Sequence, residues 1–119
     1  MRFQTNAEFE SSSLQGYIDI NYAELVDVFG TENSDGDGYK VDAEWQIKFE
    51  DGTYATIYNY KDGRNYCGED GLDVDDITDW HIGGQNERAV ARVQEAVADY
   101  RAGIVDGDVT EVKAVLRLG

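Results

Sequence analysis

Residues 43–60 read AEWQIKFEDGTYATIYNY, and the period of two in that stretch decides the fold. Ala43, Trp45, Ile47 and Phe49 alternate with Glu44, Gln46, Lys48 and Glu50, the pattern of a strand with one dry face and one wet one. Asp51-Gly52 follows, a pair suited to the positive φ angles of a two-residue hairpin loop. A second run then alternates Tyr54, Thr56, Tyr58 and Tyr60 with Ala55, Ile57 and Asn59. The reading is a β-hairpin. Its core face carries Trp45, Ile47, Phe49, Ala55 and Ile57, and its outer face carries the tyrosines and glutamates.

Upstream, residues 14–20 place Leu14, Gly16, Ile18 and Ile20 on one side and predict a strand. Asn21 and Glu24 then have the spacing of a capping box, and Tyr22, Leu25, Val26 and Phe29 form one apolar helical stripe that Gly30 ends. Residues 31–38, TENSDGDG, are a polar loop. Downstream, Asp62-Gly63 signals a second turn, and residues 65–76 form an acidic connection with little pattern of its own. Residues 77–82 predict a third core strand, with Thr78, Trp80 and Ile82 inward and Asp79 and His81 outward, broken by Gly83-Gly84. Asn86 caps a helix over residues 87–102, whose stripe is Val90, Val93, Val97 and Tyr100 with Ala89 and Ala96, and Gly103 closes it. Val112, Ala114, Leu116 and Leu118 alternate with Lys113, Val115 and Arg117 and predict a last strand.

The order β-α-β-β-β-α-β predicts an α+β architecture, an antiparallel β-sheet with helices on one face. A length of 119 residues fits a single domain, with residues 1–13 and 104–119 as flexible or edge-strand extensions. The chain has no proline, so its edge strands lack one common guard against self-pairing, and an apolar terminal strand would permit a homodimer.

Acids number 25 against 10 bases, a net charge of −15. Residues 1–86 carry 19 acids and 5 bases, whereas residues 87–119 carry 6 and 5, so the negative charge sits on the β-rich part. Such a field repels nucleic acid and anionic lipid and attracts basic protein surfaces. No apolar run is long enough to span a membrane, and the first residues lack the basic and apolar regions of a secretory signal. The one cysteine, Cys67, forms no internal disulfide and fits a reducing cytoplasm.

Four groups of residues compete as sites. Asn33, Asp35, Asp37 and Tyr39, with Glu44 at the twelfth place, follow the ligand spacing of an EF-hand calcium loop. Against that stand Asn at the first place, Lys40 at the eighth, and Glu44 in a strand where a helix belongs; an Asp/Gly turn is the competing reading. Asp79, His81 and Cys67 are titratable but lack any nucleophile motif, so the chain reads as a non-enzyme. Trp45, Tyr58, Trp80 and His81, with Gly83, Gly84 and Arg88 for a phosphate, would suit a nucleotide-sequestering pocket. The carboxylates Asp35, Asp37, Asp70, Asp73, Asp75, Asp76 and Asp79 would make an acidic binding face, beside which uncovered tyrosines would form an aromatic patch.

The strings LQGYI, YAELVDVFG, DGYKVDAEW, FEDGTYATIYNYKDG and ITDWHIGG, followed by an amphipathic helix, resemble a family of small, mostly uncharacterised proteins of tailed phages. The resemblance spans roughly residues 14–97. It implies a virus-encoded protein at work in a host cytoplasm, and by analogy a role like that of anti-CRISPR inhibitors, some of which mimic DNA. The expectation is a cofactor-free acidic protein that binds and blocks a host defence protein with a basic surface, its aspartates standing in for phosphates. A nucleotide-signal binder and a calcium-stabilised structural module are the alternatives.

Overall fold

Alternation builds the centre of the sheet as the sequence predicts. The computed structural model describes residues 1–5 and 7–103. Its strands are β1 (Phe3–Gln4), β2 (Ser13–Asp19), β3 (Glu44–Phe49), β4 (Tyr54–Tyr58) and β5 (Asp79–Gly84). They form one antiparallel sheet in the order β1-β3-β4-β5-β2. Helices α1 (Tyr22–Phe29), α2 (Arg64–Cys67) and α3 (Arg88–Arg101) complete the elements, with short 3-10 turns at Gly68–Asp70 and Val74–Asp76. The fold is α+β. The predicted last strand at residues 112–118 lies outside the described residues.

Cross-strand pairs Trp45–Ile57 and Ile47–Ala55 put the predicted apolar residues of the hairpin on one face, where all four are fully buried. Trp80 and Ile82 of β5 continue that face, and Trp80 meets Trp45 edge to face at 5.4 Å. Such a pair adds about 0.5–1.5 kcal/mol to what burial alone contributes. The Trp45 indole N–H donates to the carbonyl of Gly30, which fixes the end of α1 against β3. Leu25, Val28 and Phe29 of α1 and Ala89, Val93 and Val97 of α3 close over this face. Asn21 caps α1 by accepting from the Glu24 N–H, and Asn86 accepts from the Arg88 N–H at the start of α3.

The structure departs from the sequence expectation at several points. The hairpin loop has three residues, because Phe49 pairs with Thr53, Gly52 N–H closes a turn on Phe49 O, and Gly52 takes φ +89. A bulge between Leu14 and Gly16 sets Leu14 opposite Gly83, on the outer face, where it is exposed. Thr78 precedes β5 and is exposed, and Ile77 is buried in its place. Gly83 and Gly84 do not break β5 but extend it, pairing with both neighbours. A Cβ on Gly84 would lie 2.4 Å from that of Ala89, so glycine lets α3 pass this close. Residues 65–76 are ordered by α2, the two 3-10 turns and a bridge between Gly63 and Leu72.

Asn59, fully buried just after β4, binds the hairpin to the loops around it. Its carboxamide oxygen accepts from the N–H groups of Asp42 and Ala43, and its nitrogen donates to the carboxylates of Asp42 and Asp62. Asn65 adds two bonds to the same loop, from its N–H to Asp42 and from its side chain to the Val41 carbonyl. The flanking loops are therefore held at fixed positions beside the sheet.

Candidate functional site

Since α1 and α3 cover one side of the sheet, alternate residues of β2, β4 and β5 face the other. There Tyr17, His81 and Tyr58 stand in one cross-strand row, His81 pairing with Tyr17 on one flank and with Tyr58 on the other. The Tyr17 ring meets the imidazole edge-on at 4.8 Å, Tyr58 lies at 5.4 Å, and Tyr60, just past β4, lies at 5.5 Å. Tyr17 keeps 56% of its surface exposed and Tyr60 keeps 41%. Burial, and then the charge of Glu44 opposite on β3, push the Tyr58 phenol up.

The aromatic row continues sideways. The Lys61 ammonium sits 5.2 Å above the Tyr60 ring and 5.4 Å above Tyr66, and Tyr66 packs on Tyr39 at 5.1 Å. Lys61 adopts φ +61, alone among the described non-glycine residues in this left-handed region, with its N–H donating to the Lys40 carbonyl.

Carboxylates rim these rings. Asp19 and Asp79, each two residues along its strand from Tyr17 and His81, stand directly opposite one another, and both are exposed. Like charges in that position repel. From Asp79 backwards along the chain come the exposed carboxylates of Asp76 and Asp75 on the second 3-10 turn, Asp73 just before it, and Asp70 and Glu69 on the first. Val74 and Ile77 pin this run to the core, and Asp75 lies close enough to Tyr22 for its charge to act there. Burial, Glu32 and Asp75 together push the Tyr22 phenol up to about 12. Asp35 and Asp37 sit apart on the loop that Tyr39 ties to α2 through Tyr66.

Of the predicted acidic face, the structure sets Asp79 beside the tyrosines, whereas Asp70, Asp73, Asp75 and Asp76 precede it in the chain with Asp75 near Tyr22 of α1, and Asp35 and Asp37 sit apart. The nucleotide pocket is not assembled. Trp45 and Trp80 are fully buried on the helical side, whereas Tyr58 and His81 face outward, so the sheet stands between them. Gly83 and Gly84 are paired within the sheet, and Arg88 is exposed at the start of α3.

The calcium set is not assembled either. Asn33 aims its carboxamide at Gln46, accepting from the N–H and donating to the carbonyl as an added strand residue would. Ser34 bridges to Glu44, and its hydroxyl donates to the Glu44 carboxylate. Asp37 accepts from the N–H groups of Tyr39 and Lys40, contacts that help hold its carboxyl below the usual range against a smaller effect of burial. This loop covers the part of the β3 edge that β1 leaves open, which is its evident structural role. Among the described residues, no three His, Cys, Asp or Glu side chains gather as a metal-holding group.

Tyr54, expected among the uncovered tyrosines, is buried, as is Thr56. The chain before β2 reaches that side of the sheet, where Glu10 pairs with Lys48 and accepts from Gln85. Sequence reasoning missed Tyr17. Its signal was present, since Gly16, Ile18 and Ile20 facing inward oblige Tyr17 and Asp19 to face outward. Among the described residues no helix is long and apolar enough to cross a membrane. Compared with known proteins, the chain matches no family model, no curated protein and no solved structure.

Proposed function

We propose that this chain is a non-catalytic binding protein that docks the Tyr17–Tyr58–Tyr60–His81 face of its sheet, with the adjoining carboxylates, onto a basic protein surface. One observation carries the reading: Asp19 and Asp79 oppose each other at the edge of exposed tyrosine rings. The pair costs the free protein stability, and a cation brought by a partner relieves it. Exposed rings around a polar centre supply the apolar contact that such a docking buries. The run from Glu69 to Asp79 adds long-range attraction, which speeds encounter with a basic surface.

In the virus-encoded setting that the resemblance implies, the partner is a nucleic-acid-handling component of bacterial defence, met in the host cytoplasm. The carboxylates then occupy the place of phosphates in its basic channel. Capture from bacterial lysate tests this. Wild-type protein should retain a basic partner at low salt and release it as salt rises, and Tyr17→Ala with Tyr60→Ala should lose it while keeping the melting temperature. Capture that ignores both salt and the tyrosine substitutions defeats the proposal.

A further inference from the structure

His81 has aromatic rings around it and a carboxylate beside it on the same face of β5. Tyr17 and Tyr58 flank it across the sheet at 4.8 and 5.4 Å, and Tyr60 approaches to 5.5 Å from just beyond β4. Two residues back along β5 stands Asp79, with Asp19 directly opposite on β2. The planes of Tyr17 and His81 cross at 80°, so the two rings form a corner. The face therefore has an electron-rich half and an anionic half, set about 7 Å apart along the strands.

The rings already hold one cation. The Lys61 ammonium lies 5.2 Å from the centre of Tyr60 and 5.4 Å from that of Tyr66, so these phenols act on a positive charge within the folded protein. An ammonium is a compact point charge, suited to one ring or one carboxylate at a time. A guanidinium has a different shape. Its flat face stacks on an aromatic ring while its five N–H donors radiate in the plane, so one group serves rings and carboxylates together. Residues directly opposite on antiparallel strands have Cβ atoms about 5 Å apart, close enough for two carboxylates to accept from one such fork. The methylene stem behind it covers apolar ring surface.

Resting on the docking reading above, we propose that the residue this face takes from its partner is an arginine. Its stem lies against Tyr17 and Tyr60 over His81, and its guanidinium is shared by Asp19 and Asp79. The negative field of the chain attracts lysine and arginine alike, so the choice between them comes from the rings and the paired carboxylates.

Two decapeptides of equal charge, one of arginine and one of lysine, test this by titration into the full chain at fixed salt. The chain has one histidine, so its imidazole C–H resonances report on this spot directly. The arginine peptide should bind about tenfold more tightly and move those resonances further at saturation. Tyr17→Ala and Asp79→Asn should each reduce the preference to about threefold or less, whereas Tyr17→Phe, which keeps the ring, should preserve it. Equal affinity for the two peptides overturns the arginine assignment and leaves a docking surface that reads charge alone. A preference that survives both Tyr17→Ala and Asp79→Asn also overturns it, by placing the selection elsewhere on the chain. An intact preference without any capture from lysate supports the arginine site while removing the host partner.

Discussion

Replacing Asp79 by Asn should make the free protein more stable, and that is the sharpest test of the binding face. Asp19 and Asp79 are cross-strand partners whose side chains share the outer face. At a charge separation of about 6 Å in a water-like dielectric, two carboxylates repel by roughly 0.7 kcal/mol. That is within the range of about 0.2–1 kcal/mol that favourable cross-strand pairs contribute, and like charges directly opposite act with the other sign. For a domain of this size that corresponds to a rise of roughly 1–6 °C in Tm. Asp19→Asn should give the same gain, since either change removes the same repulsion, and the double variant should gain little more than one single variant. Raising salt to about 1 M, where screening acts over some 3 Å, should shrink the difference. The assay is thermal unfolding of four proteins at two salt concentrations, with no partner needed. Strictly additive gains, or a loss of stability in either single variant, would falsify the idea that the pair is a standing cost. Paired with the capture experiment, Asp79→Asn should bind less while melting higher, the exchange expected where function maintains an unfavourable contact.

The other predictions concern the scaffold that holds the face. Asn59→Ala removes four hydrogen bonds and strands the N–H groups of Asp42 and Ala43, so urea unfolding should show a loss of about 2–4 kcal/mol. Gly63→Ala should cost about 1–3 kcal/mol in the same assay, because its Cβ would lie 2.0 Å from Asp42 Oδ1 and displace that network. Burial alone would raise the Asp51 carboxyl, yet hydrogen bonds from Thr53 and Arg92 hold it at about 2 against an ordinary 3.8. A depressed carboxyl stabilises the fold above its unfolded value and loses that contribution as pH falls through the folded one. The urea midpoint should therefore fall between about pH 4 and pH 2, and fall less in Asp51→Asn.

Alternation made the hairpin, both amphipathic helices and the inward side of β5 legible, because a period of two or of 3.6 in apolar residues survives any detail of pairing. Register details did not survive so well. The bulge at Leu14 arises from how β2 meets β5, and β2 alone contains no mark of it. β1 is a pair of residues whose place is set by Phe49 and Lys48 far along the chain, so no local pattern could reveal it. Asp/Gly spacing suggested a metal loop, but the same short polar side chains serve as well to close turns and to pair with a strand edge, which is what Asn33, Ser34 and Asp37 do. Trp45 and Trp80 offered rings for a ligand only while their face was unknown. The acidic character of residues 69–79 was fully legible, yet the placement of Asp79 opposite Asp19 and next to Tyr17 needed the sheet order, since β2 and β5 are about sixty residues apart and become neighbours only through the fold.

The distribution of costs across the molecule makes the last argument for function. On the helical side, apolar residues are closed over and the indole N–H groups of Trp45 and Trp80 are both satisfied by backbone carbonyls. The unfavourable features collect on the other side: the Asp19–Asp79 repulsion, tyrosine rings left in water, and Lys61 in a backbone conformation that costs on the order of 1 kcal/mol. These features are contiguous through Tyr60 and His81, and each is of a kind that a partner would relieve or use. Fold stability alone gives no reason to gather them on one surface, because a domain has only a small margin of stability from which to bear them. The proposed docking onto a partner supplies that reason, and on that reading the contact falls on the outer face of β2, β4 and β5.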